Sequence, residues 1–523
     1  MCRKISIYDT TLRDGMQGVG AHFTVEDKVR LAMLMDEMGV TYIEGGSPAF
    51  NPKDAEFFKR MESVNLKNSE LVAFGSTCHA GVKPSDDESL GVLSKISFKN
   101  VCIFGKAWNL HVKSVLGISK EENLALISES ISYLYNCGKN VFFDAEHFFD
   151  GFKEDSEYAV SVIETALKSG ASFVYLCDTN GGCTTEEISE ICNYVVNRGF
   201  CNIGIHSHND IGMATACTVS AVTKGLNSVQ TTLTGVGERC GNADYFEIVP
   251  TLQLKLGFDC ISSDVMGKMS SFYYRACELL NKKTFKRHPY VGRDAFGHKG
   301  GTHIDAVLKE NKAYEHVDPD AVGNIRKMVL SEMSGRAAVA AKIRHVLPEL
   351  VVNDDQVSEV LLRLKDLEFN GFQFEGADAS FELLVRRTLD IHKQFFTLKD
   401  YKIISAGDGS SAIVDVFVEG QEEVTAANGQ GPVDALDGAF RKALGRFYPE
   451  LNKMRLVDYK VRVLDSSKAT ASKVRVIIES ADGEKNWVTV GVSEDIIEAS
   501  WIALVDAHEY MLYSSSSPKN SGL

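Results

Sequence analysis

The sequence predicts an α/β protein: a (β/α)8 TIM barrel, then a helical connector, then a C-terminal α+β domain with an internal repeat. Three observations carry that prediction. Eight short runs rich in Val, Ile, Phe and Tyr recur before residue 240, each separated from the next by enough chain for a helix. Polar and charged residues gather at the C-terminal ends of those runs, where a barrel builds its active site. Beyond residue 258 the alternation stops, and beyond residue 390 two stretches repeat one another in outline. With 523 residues and 44% apolar content, the chain can bury a large core and divides into more than one domain. The expected boundaries are 1–258 for the barrel, 259–388 for the connector, 389–513 for the C-terminal α+β domain and 514–523 for a disordered tail.

The strands are expected in ISIYDTTL (5–12), VTYIEGG (40–46), LVAFGST (71–77), VCIFGKA (101–107), NVFFDAEHF (140–148), FVYLCDT (173–179), NIGIHSH (202–208) and SVQTTLTGVG (228–237). The helical stretch TVEDKVRLAMLMDEMG (24–39) starts at a Thr cap signal and ends at a glycine. Periodicity alone also permits an open, doubly wound sheet. The polar strand ends favour the barrel, because Thr11, Arg13, Asp14, Glu44, Asp144, Glu146, Asp178, Thr179, His206 and His208 would then converge on one mouth.

Positions two apart on a strand point to the same side, so His206 and His208 can aim both imidazoles into that mouth. Two neutral imidazoles and a carboxylate suit a divalent cation with positions left open for substrate. Asp14 is the expected third ligand, since strands seven and one lie one strand apart around a closed barrel. Asn242 can supply a further oxygen. An H-x-H pair that is merely hydrogen-bonded is the plainer alternative. Arg13 beside Asp14 is either a surface ion pair or a fixed guanidinium that neutralises oxygen charge during reaction; its place at the mouth favours the second.

After the barrel, helices are expected in DVMGKMSSFYYRACELLNKK (264–283) and DDQVSEVLLRLKDLEF (354–369). The repeat pairs TAANGQGPVDALDGAFRKAL (425–444) with VTVGVSEDIIEASWIALVDA (488–507), each a strand and a glycine before an amphipathic helix. A net charge of -15 argues against nucleic acid or a membrane surface as partner. With neither a transmembrane run nor a signal-peptide core at its start, the chain is expected to be cytoplasmic. Its twelve cysteines, with no C-x-x-C pair, read as reduced packing residues.

Three segments carry a family resemblance. YDTTLRDGMQ (8–17), HSHNDIGMATA (206–216) and GVGERCGNAD (235–244) resemble, in this order, signatures of the acetyl-CoA-dependent Claisen-condensing barrels that include isopropylmalate, homocitrate and citramalate synthases. The likeness continues through FGHKGGTHIDAVLK (296–309) into the C-terminal domain. YIEGGSPAFNPKD (42–54), DAEHFFDGFK (144–153) and LEFNGFQFEGADASFELLVRR (367–387) look most like the citramalate-forming branch, whose members join acetyl-CoA to pyruvate. Isopropylmalate or homocitrate formation, or a carbon–carbon lyase, are the alternatives. The resemblance implies a divalent metal (Mn, Mg, Zn or Co) on Asp14, His206, His208 and Asn242, with acetyl-CoA as co-substrate. It implies Arg13, Glu146, His303 and Tyr314 as catalytic residues, and Arg13, Glu44, Asp144 and Thr179 as contacts to the 2-oxo acid. A homodimer and an amino-acid effector, isoleucine for this branch, are implied as well.

Overall fold

The computed structural model describes residues 3–299, 303, 306–307, 309–328, 335–407, 409–464, 472–483 and 485–516. Eight strands, β1 (Ser6–Asp9), β2 (Tyr42–Gly46), β3 (Glu70–Ser76), β4 (Asn100–Lys106), β5 (Asn140–Glu146), β6 (Ala171–Asp178), β7 (Ile203–Ser207) and β8 (Ser228–Thr231), close in that order into a barrel. Every pair is parallel, and β8 returns to β1 with Ile7 opposite Val229. That closure excludes the open sheet. The expected eighth strand is shorter, because the chain turns after Thr231 through Thr234 at φ 59° and Gly235 at φ 64°. Helix Val25–Glu37 begins as its sequence signals, with a capping box between Thr24 and Asp27, and is followed by Gly39 at φ 72°.

Alternation along the strands sorts the side chains into two cores. Ile7, Ile43, Val101, Val141, Phe143, Ile205 and Val229 face the surrounding helices. Tyr8, Val72, Phe74, Cys102, Phe142 and Tyr175 instead fill the barrel interior, edged by Tyr42, Phe104 and Phe173. Tyr8 meets Tyr175 at a centroid distance of 5.2 Å and Tyr42 meets Phe142 at 4.9 Å, so the lumen is plugged by aromatic rings. Gly204 on β7 is required by this plug: a Cβ there would lie 2.4 Å from the Tyr175 ring.

The chain divides into two compact units. One takes the residues up to Phe296 together with Val317–Ile325; the other takes Gly297–His316 and the residues from Arg326 onward. The first unit therefore extends past the expected barrel end at 258, because Met266, Met269, Phe272, Tyr273 and Ala276 join the barrel's helical core. In the second unit, β9 (Gly297–His298) pairs with β10 (Lys327–Met328), and the expected connector helix runs Asp354–Phe369 behind an Asn353–Gln356 capping box.

The C-terminal repeat is explicit. Antiparallel β11 (Phe396–Ala406), β12 (Gly409–Val418) and β13 (Gln421–Gly429) lead to helix Pro432–Leu444. Antiparallel β14 (Arg455–Val463), β15 (Val474–Ala481) and β16 (Asn486–Ser493) lead to helix Ile496–Ser516. Each copy breaks register at the same point of its first strand, between Leu398 and Asp400 and between Leu456 and Asp458. The hydroxyl of Thr425 donates to the carbonyl of Ala439 at 2.7 Å, and that of Thr489 to the carbonyl of Ala503 at 2.8 Å. The last helix carries order to Ser516, into the expected tail; residues 517–523 lie outside the described residues. Among the described residues no helix is long and apolar enough to cross a membrane, and the eleven described cysteines are free thiols.

Candidate active site

At the C-terminal end of the barrel, Arg13, Asp14, Gln17, Phe74, Phe104, Asp144, Glu146, Cys177, Thr179, His206, His208 and Glu238 line a cavity of about 210 Å³. Its position follows from the strands. Each inward residue at a strand's end stands one pleat above the aromatic plug, so the plug forms the floor and the polar ends form the mouth.

The three expected metal ligands come together. Asp14, His206 and His208 each offer a ligand atom, all within 4.8 Å of one another. His206 Nε2 lies 3.3 Å and His208 Nε2 3.8 Å from Asp14 Oδ2, and the two imidazoles stand 4.9 Å apart, edge to face. Burial, then the neighbouring His208, lowers the pKa of His206 to about 3. His208 is lowered too, again chiefly by burial. Both rings are neutral at physiological pH and keep a lone pair to donate. Burial opposes charge on Asp14 as well, yet Arg13, His206 and His208 hold its pKa below the usual carboxylate range. The set fits a divalent cation on one further observation: Asp14 Oδ1 is buried without a hydrogen-bond partner, a costly state that a cation would relieve.

Asn242 reaches the same cluster. Its Nδ2 donates to Asp14 Oδ2 at 3.1 Å, while its Oδ1 is buried and unpartnered. Gly237 makes room for that amide, since a Cβ there would stand 1.6 Å from Asn242 Oδ1. Half a turn of the amide would present oxygen instead of nitrogen to the cluster.

Arg13 is pinned from three sides. Its Nε donates to Glu44 Oε1 at 2.6 Å, a terminal nitrogen lies 3.7 Å from Asp14 Oδ2, and its guanidinium carbon sits 4.1 Å above the Phe74 ring. Burial works against its charge, but Glu44, Asp14 and Asp144 more than restore it and raise its pKa. Glu44 is buried beneath it and accepts a hydrogen bond from Tyr8 at 2.5 Å. Asp144, also buried, accepts from Gln230 Nε2 at 2.9 Å, and burial together with Glu44 raises its pKa. Thr179 Oγ1 accepts from the His147 amide at 2.9 Å, which leaves its own hydroxyl proton for the cavity.

Glu146 is engaged by the ammonium of Lys106, a residue that sequence reasoning missed. Its signal was the lysine of VCIFGKA, which ends β4 at inward parity. The stacked pair Phe74–Phe104, 5.6 Å between centroids, was also missed; it walls the cavity and, with Arg13 and Gln17, an adjoining cavity of about 520 Å³ reaching to Ser47, Phe50 and Asn51. Two expected mouth residues turn aside. Asp178 is at outward parity and accepts from the Cys183 amide at 3.2 Å, and Thr11 accepts from the Leu233 amide at 2.8 Å. In the second unit, His303 and Tyr314 stack at 4.0 Å, which brings those two expected residues together.

Residues 4–265 match the HMGL-like family, 290–371 the homocitrate synthase post-HMGL domain, and 375–512 the LeuA allosteric (dimerisation) domain. The chain is 47% identical over 519 residues to the (R)-citramalate synthase of Aquifex aeolicus, covering 98% of each. It is 44% identical over 523 residues to the (R)-citramalate synthase of Geobacter sulfurreducens, covering 99% of each. Against the 2-isopropylmalate synthase of Pyrococcus furiosus identity is 31%, over 97% of this chain and 99% of that one.

Proposed function

The chain belongs to the HMGL-like family, in its citramalate synthase branch, and from that premise we propose that it condenses acetyl-CoA with pyruvate to give (R)-citramalate and CoA. The observation that carries this reading is the meeting of Asp14, His206 and His208 with Arg13 at one small cavity.

In this proposal Asp14, His206 and His208 hold a divalent cation, Mn, Mg, Zn or Co, with Asn242 as a fourth partner. Such a cation supplies Lewis acidity toward the carboxylate and keto oxygens of a 2-oxo acid. Arg13 faces the keto oxygen, where its fixed guanidinium neutralises the negative charge that grows as the new bond forms. The Thr179 hydroxyl donates to the substrate carboxylate. Glu44 holds Arg13 in place, and Asp144 does the same for Gln230. The rings of Phe74 and Phe104 stand as an apolar wall suited to a methyl group, and the adjoining cavity accommodates the thioester arm.

The difficult step is removal of a proton from the acetyl methyl, whose acidity is low. We assign that proton to His303, reaching the site from the neighbouring subunit of a homodimer, with Glu146 and its Lys106 partner near the acetyl group. The enolate carbon then attacks the keto carbon, and hydrolysis of the thioester makes the reaction effectively one-way. The reading is tested by acetyl-CoA-dependent thiol release across a panel of 2-oxo acids. Preference for pyruvate is expected, and preference for 2-oxoisovalerate would replace the proposal with isopropylmalate formation. For the C-terminal domain, whose match is to an allosteric dimerisation module, we propose a homodimer inhibited by isoleucine. Unchanged turnover at saturating isoleucine would remove that part.

A further inference from the structure

Lys28, on helix Val25–Glu37, is completely buried. Its Nζ donates to the carbonyl of Gly45 at 2.6 Å and to Asp54 Oδ1 at 2.5 Å. Asp54, in the first turn of helix Pro52–Met61, accepts the Ser47 amide on its other oxygen at 2.9 Å. Gly46, at φ 119°, makes room for that carboxylate: a Cβ there would stand 2.3 Å from Asp54 Oδ2. The carbonyl that Lys28 grips belongs to a bulge. β2 pairs with β3 in step as far as Glu44 opposite Val72 and resumes with Gly46 opposite Ala73, so Gly45 is the extra residue. On the other side, β1 follows β2 only as far as Ile43. The side chain just before the bulge is Glu44, whose two oxygens accept from Arg13 Nε at 2.6 Å and from the Tyr8 hydroxyl at 2.5 Å.

We propose that Lys28 and Asp54 are positioning residues that pin the bulge at Gly45 and so keep Glu44 aimed at Arg13. The inference rests on the reading of Arg13 as the group that faces the keto oxygen. Bulges re-aim the side chains beside them, and a slip of one residue along β2 would turn Glu44 from the barrel lumen toward the helices. Two glycines follow Glu44, and glycine-rich strands hold register weakly. The pair supplies that register from outside the sheet: one helix holds the carbonyl of Gly45, the next holds the amide of Ser47, and the ion pair joins them. Burying two opposite charges gains little net stability, because desolvation offsets their attraction, so what this pair contributes is geometry.

The test is a mutant cycle on the full-length protein, run with whichever 2-oxo acid the parent consumes. Lys28→Met combined with Asp54→Asn removes both charges together, so neither is left buried and alone. Acetyl-CoA is kept saturating, so that the loop 47–51 bordering the adjoining cavity does not enter the reading. In this pair variant kcat should fall about ten-fold, and in a Glu44→Gln background the same change should cost less than about two-fold, because the pair acts through Glu44. Asp54→Asn by itself keeps an acceptor for the Ser47 amide and runs the same cycle with a smaller fall if the pair variant does not fold. An unaltered kcat, or a fall that simply multiplies with that of Glu44→Gln, overturns the proposal. A second readout needs no turnover: the Arg13 Nε–H resonance in ¹⁵N spectra, assigned against Arg13→Lys, should lose its protection from hydrogen exchange in either variant, and retained protection also overturns it. Failure of the two readings separates. A parent that condenses no 2-oxo acid removes the reaction, whereas the Arg13 resonance judges the clamp by itself.

Discussion

At the floor of the barrel Tyr8, Phe142 and Tyr175 close on one another, while one inward step higher β2, β5, β6 and β7 present Glu44, Asp144, Cys177 and His206. The floor is filled and apolar. The mouth is nearly as buried, yet it holds Asp14 Oδ1, His208 Nδ1, Gln230 Oε1 and Asn242 Oδ1 without hydrogen-bond partners. Buried groups in that condition lower stability, and the contrast locates the two demands on this fold: the floor keeps it closed, and the mouth gives up stability to hold charges ready.

The comparison can be broken most forcefully at Asp14. Asp14→Asn should lower kcat/KM by on the order of a thousand-fold while lowering the thermal midpoint only modestly, because Arg13, His206 and His208 favour the charged carboxylate and that preference is lost. Loss of folding in that variant would mean the mouth is structural. The reverse experiment is Phe142→Ala, expected to cost about 3–5 kcal/mol in denaturant unfolding and to spare kcat in the protein that remains folded. Arg13→Lys keeps the charge but loses the fork to Glu44 and the stack on Phe74; turnover should fall by about a hundred-fold with little change in stability. Phe104→Ala should move activity from pyruvate toward larger 2-oxo acids by about ten-fold in the ratio of kcat/KM.

The smallest effect lies in the wall between floor and mouth. Burial, against hydrogen bonds from Thr11 and Thr231, pushes the pKa of Asp9 up to about 7. The unfolded chain releases that proton near pH 4, so the stabilisation from Asp9 is full below about pH 4 and is lost as pH rises through about 7. Asp9→Asn should therefore gain on the parent in unfolding free energy between about pH 5 and pH 8, and a constant difference would reject the assignment.

The sequence made much of this legible, for a physical reason. Strand parity and the cost of burying charge single out polar residues at the ends of apolar runs, and Asp14, His206, His208 and Arg13, picked out that way, meet at one cavity. The same parity, applied without the strand ends being known to a single residue, misdirected Thr11 and Asp178. Lys106 and Gln230 were passed over because one polar residue near a strand end looks like ordinary solubilisation until its partners across the barrel, Glu146 and Asp144, are seen. The unit boundary was hidden for another reason. Phe272 and Tyr273 look like any amphipathic helix, and only packing reveals that they belong to the barrel's outer core.

The ring of Tyr175 that occupies the space beside Gly204 also limits how this enzyme can be re-engineered or can diverge. No new side chain can grow into the chamber from beneath His206 without expelling that ring. Altered substrate choice has to come from the opposite side, where Phe74 and Phe104 can be trimmed one carbon at a time while the imidazoles stay where they are.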